Sequence, residues 1–171
     1  KTTPSITNLD DTIIKLETPL YIARVSSRSG GTITEFNIKN YLTTDSSLVN
    51  LILPNQSPNL QIQAKDLDGN ELDLESPWEL VSSQPPSIIK EPFSLEFKKE
   101  IFKSRYIYKT LVFNPYGYTI GVDIDLSNIR GDIYRDVLFG WYGGLSSTEK
   151  NTVDDRSYFK AYAYMGGELE E

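Results

Sequence analysis

The sequence predicts an all-β chain, and three observations carry that expectation. Apolar residues alternate with polar ones at a period of two, turn residues recur at short intervals, and no stretch joins a helical period to caps. The clearest alternation sets Tyr118, Ile120, Val122, Ile124 and Leu126 against Thr119, Gly121, Asp123 and Asp125. One face of such a strand meets a core and the other meets water, as in an antiparallel sheet.

Just upstream, residues 105–113 place Ile107, Leu111 and Phe113 on one face and Tyr106, Tyr108 and Val112 on the other, so both faces are expected to be covered. Asn114, Pro115, Tyr116 and Gly117 separate the two runs with turn chemistry, and the pair reads as a long hairpin. Shorter strands are expected at 12–16, 20–27, 32–38, 49–53, 60–65, 78–82 and 93–97. Gly30-Gly31 and Asp68-Gly69 supply the positive φ angles of tight hairpins, and Pro85-Pro86 marks a connection crossing between strands. Many strands at near-regular spacing predict a sandwich. Residues 157–165 read as strand or irregular structure. One domain is expected over 12–165, between a flexible N-terminal segment, 1–11, and a polar C-terminal tail, 166–171.

A chain of 171 residues, 39% hydrophobic and 12% aromatic, is long enough to bury a core without a metal or disulfide staple. The formal charge is −7, and the 17 basic residues are scattered with no stripe to follow a phosphate backbone, so nucleic acid is not expected as a partner. No apolar run approaches the roughly 20 residues of a membrane helix. The chain opens on Lys1 and its one methionine is Met165, so it reads as a segment of something longer, with any membrane helix outside it.

Two missing residue types restrict the chemistry further. Without cysteine there is no thiolate nucleophile, thiolate metal site or disulfide framework; without histidine, Ser-His-Asp chemistry and nearly all zinc sites are excluded. No cofactor is expected, and any catalysis would rest on carboxylates, lysines or tyrosines.

Asp66, Asp68 and Asn70 resemble the start of a calcium loop, but Glu71 and Pro77 stand where such a loop needs glycine and glutamate, so a plain turn is the better reading. Asp123 and Asp125 project from one face of a strand, as an acid and base pair would, yet they occupy the polar half of the alternation and read as a solvated face. Asp154-Asp155 reads as polar loop, and Glu168, Glu170 and Glu171 as a solvated end. Towards the C-terminus, Trp141, Tyr142, Tyr158, Phe159, Tyr162 and Tyr164 cluster. Core packing accounts for most such aromatics, and the competing reading is a groove for an extended peptide, an apolar segment or a sugar. Within it, Gly140, Gly143 and Gly144 would let the backbone bend around accessible Trp141 and Tyr142 rings, and Trp141, Tyr142, Tyr158 and Phe159 are the candidate partner or ligand surface.

Two stretches go beyond generic sandwich grammar. Residues 18–41, TPLYIARVSSRSGGTITEFNIKNY, give a strand, a Ser-Arg-Gly-Gly-like hairpin, a second strand and a closing tyrosine; residues 93–128 give an apolar strand, a partner ending KTLVF, a turn, the 118–126 alternation and Ser127-Asn128. Together they resemble the periplasmic domain of the YidC-type membrane protein insertases. The resemblance implies a twisted antiparallel β-sandwich, a supersandwich similar to galactose mutarotase, incomplete in this chain because it stops soon after Gly140 to Tyr142. It also implies exposure at the periplasmic face of the bacterial inner membrane, between two membrane helices outside this segment. The implied role is accessory, through contacts with Sec translocase components and nascent membrane proteins. Aldose epimerases share the implied fold but resemble one another in using histidine with glutamate, and this chain has no histidine.

The leading expectation is therefore a non-catalytic domain that supports insertion and folding of membrane proteins. The alternative is a carbohydrate-binding β-sandwich module with an aromatic platform at Trp141, and a third reading is a carboxylate-only glycoside hydrolase using Asp123 and Asp125.

Overall fold

The computed structural model describes residues 9–43, 45–52, 58–143, 145–146, 162–165 and 168–170. Strands β1 (Ile13–Glu17), β2 (Tyr21–Ser26), β3 (Thr32–Leu42) and β4 (Leu48–Asn50) follow one another across a four-stranded antiparallel meander. After β5 (Gln61–Gln63), a second four-stranded meander runs through β6 (Glu79–Leu80), β7 (Phe93–Phe102), β8 (Arg105–Phe113) and β9 (Ile120–Asp125). Strand β10 (Leu138–Gly140) returns to pair with β5, and β11 (Ala163–Met165) pairs with β12 (Glu168–Glu170). The expected antiparallel, all-β sandwich is what the chain forms.

Alternation decides which side chains meet. Ile14 and Leu16 of β1, Tyr21, Ala23 and Val25 of β2, Leu95 and Phe97 of β7, and Ile107, Leu111 and Phe113 of β8 are buried in one shared core. Of the three register shifts among the described strands, two adjust this core pattern. Arg24 faces Glu35 while Val25 faces Ile33, so Thr34 is the extra residue on β3, and the inserted position lets both Ile33 and Phe36 reach the core. The second lies between Glu100 and Phe102, where Ile101 and Phe102 are consecutive buried residues. Thr18 closes the β1–β2 turn, its hydroxyl accepting from the Leu20 and Tyr21 amides at 3.1 and 3.0 Å.

The β2–β3 turn packs directly against residues of the second sheet. Ser29, Gly30 and Gly31 have φ of 54°, 66° and 105°, and all three are buried. A Cβ on Gly30 would lie 2.6 Å from the Trp78 ring; one on Gly31 would lie 2.6 Å from Leu111 Cδ1 and 3.0 Å from Phe97. Glycine is required there twice over, for the backbone angle and for the approach. Trp78, itself buried, donates its indole N–H to the Leu74 carbonyl at 3.0 Å.

Into the same place β8 sends a lysine. Lys109 follows Ile107 and precedes Leu111 on the core face and is fully buried. Its Nζ donates to the carbonyls of Ser29 at 2.9 Å, Gly31 at 3.3 Å and Leu60 at 2.5 Å. Three acceptors match the three N–H bonds of an ammonium. Among the described residues no carboxylate pairs with it. Burial lowers its pKa to about 7.

Differences from the expected strands have physical causes. Strand β7 continues five residues beyond the expected end at Phe97, because Lys99 lies inside with only 8% exposure, donates to Ser76 Oγ and stands 3.5 Å from Asp73. The strand expected at 78–82 shortens to Glu79–Leu80, since Trp78 packs inward. The outer face of β8, with Tyr106, Tyr108 and Val112, is half-buried rather than fully covered. The Pro85-Pro86 connection joins neighbouring strands of one sheet, reaching β1 on the way through Ile89, whose N–H donates to the Glu17 carbonyl at 2.7 Å. Sequence alternation gave no sign of β10, and Glu168–Glu170, expected as part of the polar tail, is paired as β12.

Gly31→Ala is expected to lower the unfolding free energy by about 3–5 kcal/mol, combining a clash with backbone strain. Gly69→Ala, where φ is also positive but the added carbon meets open space, should cost only about 1–2 kcal/mol. Urea unfolding of both variants checks this, and equal losses would contradict it. A second expectation concerns pH. The folded chain binds fewer protons than the unfolded one between about 7 and the ordinary lysine range, so stability should rise with pH across that window by a few kcal/mol. It should fall again above pH 10, because burial raises the Tyr21 hydroxyl to about 12. In Lys109→Met the rise should shrink to the part contributed by Lys99, whose pKa burial also lowers; urea midpoints at stepped pH measure it, and an undiminished rise would contradict the assignment.

Candidate functional site

An apolar cleft of about 280 Å³ opens beside the core. It is lined by Ile33 and Phe36 of β3, Leu51 and Ile52 after β4, Leu60, Tyr118 and Ile120 around the start of β9, and Trp141 and Leu145. Asparagine side chains fix several of these segments. The Asn59 side chain accepts from Ile33 N–H at 2.9 Å and donates to Ile33 carbonyl at 2.8 Å, imitating a strand partner. Asn50 Oδ1 accepts from the amides of Phe36 at 3.0 Å and Ile52 at 3.1 Å. Ser146 closes the far end: its N–H donates to the Leu51 carbonyl at 2.9 Å, and its hydroxyl donates to the Asn50 carbonyl.

Below the cleft lies Tyr21, stacked on Phe36 with ring centroids 4.6 Å apart and tilted against Tyr118 at 6.3 Å. Its hydroxyl donates to the Asn114 carbonyl at 3.2 Å, tying the β8–β9 turn to β2. Leu60 holds φ of 55°, a strained value for a branched residue, and its carbonyl is one of the three that receive Lys109.

Of the residues singled out in the sequence, Trp141 lines this cleft at 44% exposure, and Tyr142 is half-exposed beside it. Gly140 permits that arrangement, since a Cβ there would lie 2.7 Å from the Tyr142 ring. Tyr158 and Phe159 lie outside the described residues, as do Asp154 and Asp155. Tyr162 is exposed. Sequence reasoning missed the rest of the lining, because Ile33, Phe36 and Leu60 read as ordinary core residues; the asparagines at 50 and 59 were the available signal, being side chains able to replace backbone partners.

The acidic candidates fall elsewhere. Asp123 and Asp125 are exposed on the outward face of β9, and the Ser127 hydroxyl and N–H hold the Asp125 carboxyl below its usual range. A carboxylate kept ionised in water is poorly suited to donate a proton to a glycosidic oxygen. Asp66 completes a turn: Oδ1 accepts from the amides of Asp68 at 2.9 Å and Asn70 at 2.8 Å, and Oδ2 accepts from the Asn70 side chain at 2.9 Å. Gly69 takes φ of 87° at its tip. Those contacts use the carboxylate in shaping the chain.

The cleft therefore offers hydrophobic burial and aromatic contact. Among the described residues its lining includes no carboxylate, lysine or arginine. Among the described residues no helix is long and apolar enough to cross a membrane.

No family model matches the chain, and no solved structure matches it. Curated relatives do. A membrane protein insertase YidC of Prosthecochloris aestuarii is 27% identical over 94% of this chain, one of Chlorobium phaeovibrioides 29% over 90%, and one of Chloroherpeton thalassium 28% over 90%. The chain spans only 27–28% of the length of these relatives. Nearly its whole length is thus similar to one portion of the YidC-type membrane protein insertases, the family that residues 18–41 and 93–128 resemble.

Proposed function

We propose that this chain is a non-catalytic domain of a membrane protein insertase, standing at the periplasmic face of the inner membrane and supporting insertion by binding protein partners. The observation that carries the reading is the apolar cleft lined by Leu60 and Trp141, which supplies surface to bury and, among the described residues, no titratable acid or base beyond the Tyr118 phenol. A volume near 280 Å³ suits one or two large apolar side chains of an extended segment. Relatives named for membrane protein insertion handle chains rich in such side chains, and nascent membrane proteins are the partner this chemistry fits. Contacts with Sec translocase components belong to the same reading and rest on the family resemblance.

A sugar would stack on Trp141 but would also need polar groups for its hydroxyls, and the cleft wall is almost wholly apolar. The protein-binding reading is therefore preferred to the carbohydrate module.

Short leucine-rich peptides titrated against the chain should bind, and Trp141→Ala should weaken them about tenfold, the loss expected of one aromatic anchor. Soluble glycans should leave Trp141 fluorescence unchanged. Unaltered peptide affinity in the variant, or saturable glycan binding that it abolishes, would contradict the proposal. In an intact insertase, deletion of this domain should reduce partner association more than insertion. Loss of insertion with the protein folded and abundant would show the accessory role to be wrong.

A further inference from the structure

We propose that Lys109 is a positioning residue for the apolar cleft, its buried nitrogen setting where Leu60 and Ile33 stand, so that its charge state regulates how the cleft fits an apolar ligand. The proposal rests on the reading of the cleft as a binding site. Its basis is the double duty of the Lys109 partners. Leu60 accepts from Nζ through its carbonyl at 2.5 Å and lines the cleft with its side chain. Gly31 accepts at 3.3 Å and lies two residues before Ile33, which lines the cleft and is held by Asn59, the neighbour of Leu60. One nitrogen thus reaches both segments behind a single wall.

The two charge states cannot hold that wall alike. An ammonium has three N–H bonds for the three carbonyls, whereas a neutral amine has two and turns a lone pair towards an oxygen. Loss of the proton must release one carbonyl, and the segment carrying it shifts. Burial brings the titration to about pH 7.

Burial lowers the pKa of Lys99 as well, but of the charged groups described on the packed elements Lys109 is the one bonded to Gly31 and Leu60. Its register neighbours are Phe97 and Ile124. On β7, Lys99 is engaged with Asp73 and Ser76. On β9, Asp123 and Asp125 face outward. On the turn, Arg28 is exposed, while the Glu75 carbonyl accepts from Ser29 N–H and its carboxylate accepts from the Gln61 side chain. None of these shares a hydrogen bond or ion pair with Lys109 among the described residues.

The test follows the methyl resonances of Ile33 and Leu60 together with the Lys109 ε-carbon in the full chain, from about pH 5 to about pH 9. All three should titrate with one midpoint in the unaltered protein, and the two methyls should stay flat in Lys109→Arg, which keeps its charge throughout. Should that variant fail to fold, the unaltered protein still decides, because methyls that remain still while the ε-carbon titrates overturn the proposal. So does an ε-carbon that does not titrate in this range. Affinity for 1-anilinonaphthalene-8-sulfonate, displaced by Trp141→Ala, should differ by threefold or more between the two ends of the range. Equal affinities alongside titrating methyls would overturn the regulatory claim. A probe that binds at neither end would instead overturn the cleft as a binding site, while the methyl titration would still judge Lys109 as a positioning residue.

Discussion

The rest of the architecture depends on the approach of the Ser29–Gly31 backbone to the second sheet. Two sheets that meet only through large side chains stand about 10 Å apart. Here a turn of the first sheet enters the core of the second, because two glycines leave room for Trp78, Leu111 and Phe97. That depth takes backbone carbonyls out of water, and buried carbonyls need donors. Lys109 is the donor for two of them, and for Leu60 as well. A buried ammonium and a glycine pair are therefore two parts of one solution: one permits the approach, and the other satisfies the polar groups it buries.

The cleft is a consequence of the same constraint. Chain that leaves the turn through Ile33, and chain that reaches Leu60 behind it, are fixed from within by Asn59 and Lys109, so their apolar side chains are presented to the opening instead of collapsing on each other. Trp141 directly follows β10, which pairs with β5, and Ser146 bonds to the carbonyls of Asn50 and Leu51. Polar fixation behind apolar walls gives a cleft able to stay open without a ligand, and preorganisation of this kind reduces the ordering cost of binding.

Much of this was legible in the amino-acid sequence where the physics is local. Alternation located β8 and β9, Asn114 to Gly117 located their turn, and Gly30-Gly31 marked the positive φ angles. Lysine is where the pattern misled. Lys99 and Lys109 look like water-facing residues and instead occupy core positions, so β7 was expected to end early and no role was apparent for the buried cation. Their partners come from residues 23 and 80 positions away, and no short window contains such a pairing. The cleft was half legible for the same reason. Gly140 and Trp141 advertised accessible rings, whereas Ile33, Phe36 and Ile52 depend on Asn50 and Asn59 acting across the fold.

Native-state hydrogen exchange at the amides of Gly31 and Ile33 tests most directly whether this turn is built into the joint between the sheets. Gly31 N–H is bonded to the Arg28 carbonyl at 3.0 Å and Ile33 N–H to Asn59 at 2.9 Å. Both should exchange only through global unfolding, with free energies equal to that of the whole domain and falling in step with it as urea is added. Exchange at either amide through a small opening insensitive to urea would show that the turn is a separable surface loop, and would contradict the account.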